Sequence, residues 1–143
     1  MKNILVSIDF DKKPELLIDK ALELAVAFDS KIWLMHIAAP DPDFGGFEIG
    51  PQNVRDNRAA ELRKEHKLIQ DYAVGLKEKG TNADGLLIQG ATIETILEEA
   101  KKLDVDMIIA GHHQHGLLYK AFIGSVSGEL IKKSKIPVLI IPY

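Results

Sequence analysis

The sequence predicts an α/β fold, an open parallel sheet of five strands with helices on both faces. Three observations lead there. Apolar runs rich in β-branched residues recur at 4–8, 32–37, 86–88, 105–110 and 136–141. None alternates polar with apolar, so each reads as a strand buried on both sides. Between them lie segments with apolar residues at helical spacing. Strand–helix alternation of this kind means parallel strands joined by crossover helices.

The first strand, Ile4-Leu5-Val6-Ser7-Ile8, stops at Asp9. Asp11 is placed to cap the next helix, and Pro14 suits its first turn. Leu17, Ala21, Leu24, Ala25 and Phe28 mark the inner face of a helix over roughly 14–29. A second strand runs from Lys31 to Ala38. Residues 39–53 hold Pro40, Pro42, Pro51, Gly45, Gly46 and Gly50, which exclude regular structure. This segment reads as a solvated insertion or as a lid carrying Phe44 and Phe47.

The second helix places Ala59, Leu62, His66, Ile69, Ala73 and Leu76 inward and ends near Gly80. His66 is expected to be a partly buried packing residue. A third strand at 86–88 is followed by a helix with Ile93, Ile96, Leu97, Ala100 and Leu103 inward. The fourth strand is expected at 105–110. A short helix over 125–133 carries Lys132 and Lys133 in its last turn, where the dipole favours cations. The last strand closes the chain at 136–142.

Composition narrows the function classes. The chain has 143 residues, 46% hydrophobic and 27% charged, which suits one domain over 1–143 with a sizeable core. A net charge of −3 argues against nucleic acid and anionic membrane as partners. There are no cysteines, so disulfides and thiolate ligands are excluded. No apolar run approaches the roughly 20 residues of a membrane span. Asp9 and Asp11 interrupt the start too early for a signal peptide. The expectation is a soluble, cytoplasmic protein.

The chemistry-bearing stretch is Gly-His-His-Gln-His-Gly-Leu-Leu-Tyr-Lys-Ala-Phe-Ile-Gly-Ser, residues 111–125. It leaves the carboxyl end of the fourth strand and enters a helix. In open α/β sheets, ligands bind beyond the carboxyl ends, where strand order reverses. The helix start at Gly124, Ser125, Val126 and Ser127 presents unpaired N–H groups with partial positive charge, a seat for an anion. Gly124 allows close approach of a phosphate, Ser125 adds a hydroxyl, and Gly111 allows a tight exit from the strand. The glycine patterns of P-loops and of dinucleotide folds are both absent.

With these residues in place, the chain resembles the universal stress protein family along essentially its whole length. The family's ATP-binding members carry Gly-x2-Gly-x9-Gly-Ser/Thr in this loop. Here it reads Gly111-His112-His113-Gln114, nine residues, then Gly124-Ser125. Asp9 ends the first strand and His36-Ile37 ends the second. Gln89-Gly90-Ala91-Thr92-Ile93 resembles the family's third helix entry, and Ile136-Pro137-Val138-Leu139-Ile140-Ile141 its ending. The resemblance implies a Rossmann-like sheet of the adenine nucleotide alpha hydrolase type, in strand order 3-2-1-4-5.

It also implies an adenine nucleotide (ATP, or ADP or AMP), with Mg2+ as a bridging ion that has no evident protein ligand. Asp9 and the Ile37 backbone would hold the nucleoside. Gly111, His112, Gln114, Gly124, Ser125, Val126 and Ser127 would surround the phosphates.

Gln114 departs from the pattern. If its position requires positive φ, a non-glycine residue costs about 1–2 kcal/mol. A tenfold loss of affinity is about 1.4 kcal/mol, so strain alone weakens binding without abolishing it. The family also contains a branch with His-His-Gln here and no bound ATP. That branch lacks the closing Gly-Ser, which this chain retains. The alternative function is therefore a dimeric interaction protein with an empty pocket.

His112, His113 and His115 could be metal ligands or could border phosphate or solvent. The loop lacks the spacing of a nucleotidyltransferase His-x-Gly-His motif. Asp9 caps its strand or serves a ligand. Nothing argues dedicated catalysis beyond a slow ATPase.

The last strand is apolar on both sides and bracketed by Pro137 and Pro142, which suits an edge that needs cover. The resemblance implies an isologous homodimer through 136–142. The protein partner is not legible.

Overall fold

The structure, a computed structural model, describes residues 1–39, 52–112 and 126–143. The order is β1 (Asn3–Ser7), α1 (Pro14–Phe28), β2 (Lys31–Ala38), α2 (Gln52–Glu78), β3 (Ala83–Gln89), α3 (Thr92–Lys102), β4 (Met107–His112), α4 (Val126–Lys133) and β5 (Val138–Pro142). The strands form one sheet in the order β3-β2-β1-β4-β5. Every pairing is parallel. The chain builds outward from β1 to β2 and β3, then crosses back to β4. The reversal therefore falls between β1 and β4, where the crossovers leave a crevice at the carboxyl ends.

Two apolar layers sandwich the sheet. Ile4, Val6, Ile32, Leu34 and Ile109 point to one face and pack with Leu17, Ala21 and Ala25 of α1 and Ile69, Ala73 and Leu76 of α2. Leu5, Met35, Ile108 and Ala110 point to the other, against Ile93, Ile96 and Ala100 of α3 and Leu130 of α4. Alternation of faces along each strand explains why both faces had to be apolar.

Several element expectations need correction. Asp11 does not cap α1. Lys13 holds the cap position in left-handed conformation (φ 44°), without a side-chain cap. Phe28 is 55% exposed, and Ile18 is buried in the α1 interface instead. His66 is exposed, while its neighbour Glu65 is partly buried. β4 runs two residues further than expected because Gly111 and His112 continue the ladder against Ile141 and Pro142. Asp106 precedes β4, and its Oδ2 accepts the Lys2 and Asn3 N–H groups at 2.6 and 2.9 Å. These two bonds hold its carboxyl below the usual range. β3 is longer than its apolar core, and α2 begins at Gln52, inside the stretch read as irregular. The remainder of the suspected lid lies outside the described residues.

Candidate functional site

β1 delivers Asp9 to the carboxyl end of the sheet. The Ile8 N–H donates to the Met35 carbonyl at 2.9 Å, which keeps the chain beside β2 to the last residue before the turn. Asp9 then shapes the turn into α1. Its Oδ1 accepts the Asp11 N–H at 3.1 Å, and its carbonyl accepts the Lys12 N–H at 3.1 Å. Its Oδ2 stands 3.8 Å from Lys12 Nζ, and the side chain remains 46% exposed. Asp9 thus serves as a turn cap with carboxylate surface to spare for a ligand.

β2 ends beside it. Ile37 pairs with Ile88 of β3 and packs toward the α3 side, leaving its backbone at the strand end. His36 points the other way. Its Nδ1–H donates to the Ile8 carbonyl at 3.0 Å, and its Nε2 stands 3.9 Å from Glu65 Oε2 on α2. The Phe10 ring lies on the His36 ring, centroids 4.3 Å apart, and the Tyr72 ring lies 6.4 Å beyond Phe10. This aromatic wall was not foreseen. Phe10 adjoins Asp9 in sequence, but nothing in the spacing of α2 singles out Glu65 or Tyr72.

β4 brings Gly111 and His112 to the same end. Gly111 lies within the strand, so it does not make the expected tight exit. It is needed for a different reason. A Cβ there would stand 2.3 Å from the Tyr143 hydroxyl and 2.5 Å from ring atoms Cε1 and Cζ. Tyr143 is anchored by its own N–H, which donates to the His112 carbonyl at 3.0 Å. Burial, and then the charge of Asp9, push its phenol up. Tyr143 therefore lies beside two predicted site residues, and sequence reasoning missed it.

His112 faces the opposite side of the sheet, toward α4. Its Nδ1 is 3.0 Å from the Ser127 hydroxyl, and Ser127 is 1% exposed. Val126, the first residue of α4, is 43% exposed. The fold thus gathers Asp9, Ile37, Gly111, His112, Val126 and Ser127 at one end of the sheet. Gln114, Gly124 and Ser125, with His113 and His115, lie outside the described residues. Among the described residues no cluster of three or more potential metal ligands occurs. Within the same residues, no helix is long and apolar enough to cross a membrane.

Comparison with known proteins agrees with this architecture. The model described as the universal stress protein family matches residues 1–142. Universal stress protein A of Salmonella typhimurium is 25% identical over 146 residues, covering 99% of this chain and 94% of that protein. Stress response protein NhaX of Bacillus subtilis is 31% identical over 104 residues, 73% of this chain; the match spans 59% of the relative's length. The solved structure of hypothetical protein MJ0577 superposes with a TM-score of 0.79 at 22% identity, covering 99% of this chain and 96% of that one. A universal stress protein family member from Arabidopsis thaliana, solved with AMP bound, superposes at 0.70 with 21% identity, covering 99% and 92%. The chain belongs to the universal stress protein family.

Proposed function

We propose that the chain is an adenine-nucleotide-binding, homodimeric regulatory module of the stress response. One observation carries the reading: Asp9, Gly111, His112 and the first turn of α4 converge at the reversal between β1 and β4. That is where open α/β sheets take ligands. α4 begins at Val126, which is 43% exposed, and the start of a helix suits phosphate oxygens. Asp9 keeps a half-exposed carboxylate for a ribose hydroxyl. Structural relatives solved with cAMP, with AMP and with dAMP support an adenine nucleotide as the ligand class. ATP is the expected form, with Gly124, Ser125 and Gln114 completing the phosphate side and Mg2+ bridging phosphate oxygens.

The test is calorimetric titration of ATP into nucleotide-stripped protein, beside Gln114→Gly. Micromolar binding by the wild type, tightened about tenfold in the variant, is the expected result. Binding by the variant alone favours the second reading, an interaction protein whose pocket is closed. Gln114 in place of the loop glycine is the observation behind that reading.

The dimer follows from β5. Among the described residues it pairs only with β4 in the sheet, and Val138, Leu139, Ile140 and Ile141 are only partly buried in the single chain. An apolar edge of this kind calls for a partner strand. Sedimentation of the wild type is expected to report a dimer, and Ile140→Lys a monomer with unchanged helix content. A monomeric wild type at micromolar concentration removes the dimer from the proposal.

A further inference from the structure

The ladder between β1 and β2 ends at Ser7, opposite Met35. One residue further on, β2 still holds the chain at two points. The Ile8 N–H donates to the Met35 carbonyl at 2.9 Å, and the Ile8 carbonyl accepts from His36 Nδ1 at 3.0 Å. The second bond comes from a side chain, where the backbone ladder has run out. A peptide unit is planar, so orienting the Ile8 carbonyl also orients the Asp9 N–H and Cα. Asp9 then accepts the Asp11 and Lys12 N–H groups, so the turn into α1 starts from that peptide. The His36 ring is itself held in place. Phe10 packs on it with centroids 4.3 Å apart, Glu65 Oε2 stands 3.9 Å from its far nitrogen, and the side chain is only 13% exposed.

We propose that His36 is a positioning residue for Asp9: its Nδ1–H bond to the Ile8 carbonyl sets the peptide from which Asp9 presents its carboxylate to the ribose of an adenine nucleotide. This rests on the nucleotide-binding reading above. The part of His36 is to remove backbone freedom before the ligand arrives, so that less is lost on binding. The competing role is packing alone, as a ring against Phe10. Two substitutions separate the roles. Asparagine places its amide nitrogen close to where Nδ1 stands and keeps the donor, but it has no ring. Phenylalanine keeps a ring and has no donor.

The experiment is calorimetric titration of ATP into nucleotide-stripped wild type, His36→Asn and His36→Phe, with thermal unfolding of each in the absence of nucleotide. His36→Asn loses the ring on Phe10 and is expected to melt below the wild type, yet to bind ATP within about twofold of it. His36→Phe is expected to bind about tenfold more weakly, whatever its melting temperature. In the wild type, the His36 Nδ1 proton followed by nitrogen-edited NMR is expected to stay protected from exchange at saturating ATP. A loss of affinity in His36→Asn as large as in His36→Phe, or no loss in either, overturns the inference and leaves the nucleotide reading intact. Loss of that protection on ATP binding does the same, a readout that needs neither variant to fold. Absence of binding to the wild type and both variants at millimolar ATP overturns both.

Discussion

His112, the last residue of β4, holds its Nδ1 3.0 Å from the hydroxyl of Ser127 in the first turn of α4. The contact joins the two ends of the loop that carries the glycine pattern, and Ser127 is 1% exposed. A buried hydroxyl of this kind contributes about 1 kcal/mol net when bonded. Ser127→Ala should therefore lower stability by about 1 kcal/mol, read as a lower urea midpoint with unchanged slope. It should also loosen ATP binding, since α4 would lose one of its contacts with β4. An unaltered midpoint would show that the contact contributes nothing.

Gly85 sets the distance between α2 and β3. A Cβ there would lie 2.8 Å from the Ile69 carbonyl oxygen and 3.1 Å from its carbon. Those are backbone atoms of a long helix and cannot swing aside. Gly85→Ala is expected to cost about 2–3 kcal/mol, the range of overpacking in a tight core. Chemical denaturation measures it, and a loss below about 0.5 kcal/mol would contradict the close approach.

Gly111 and Tyr143 should be energetically coupled. Gly111→Ala forces the Tyr143 ring outward and is expected to cost about 1–2 kcal/mol. In a Tyr143→Ala background the clash is gone. The same substitution should then be neutral or stabilise by about 0.5 kcal/mol, because alanine loses less backbone freedom than glycine in a strand. A double-mutant cycle that gives additive effects would refute the contact.

Stability should follow pH through Tyr72 and Glu15. The Tyr72 hydroxyl donates to Glu15 Oε1 at 2.7 Å. Burial first, then the bond to Glu15 and its charge, push the phenol from 10.0 up to about 12. The folded state thus keeps a proton that the unfolded state releases. The contribution is complete below pH 10 and lost as pH rises from about 10 through about 12. Glu15 is lowered from 4.5, first by the same hydrogen bond, so its share is present above that pH and lost as pH falls below it. The pair is largely solvated, so the total stays within about 1 kcal/mol. Wild type minus Tyr72→Phe, measured by denaturation from pH 3 to 12, should be flat in the middle and shrink at both ends. A difference that does not vary with pH would show the bond to be silent.

The chain's own residues determined the parallel sheet, its helices and the end at which the site forms. Apolar runs such as Leu5-Val6 and Ile108-Ile109 can be satisfied only by burial on two faces, and the intervening helices supply the cover. Asp9 was legible as a strand end because a polar residue interrupts the apolar run there; Ile37 came from the resemblance, and Gly111, read as the exit of the fourth strand, lies inside it. Helical spacing identified the inner faces of α1 and α2 without resolving which of two neighbours turns inward. Glu65 rather than His66 does so, opposite His36; on α1, Ile18 is buried beside Leu17 while Phe28 stays exposed. Asp11 resembled a cap, but Lys13 holds the cap position in left-handed conformation, with no side-chain cap bond. Only the tertiary structure brought Tyr143 onto Gly111. That contact depends on the register of β5 against β4, where Gly111 faces Ile141 and His112 faces Pro142. Register is a property of the assembled sheet, and a one-residue slip would turn the same side chain to the other face.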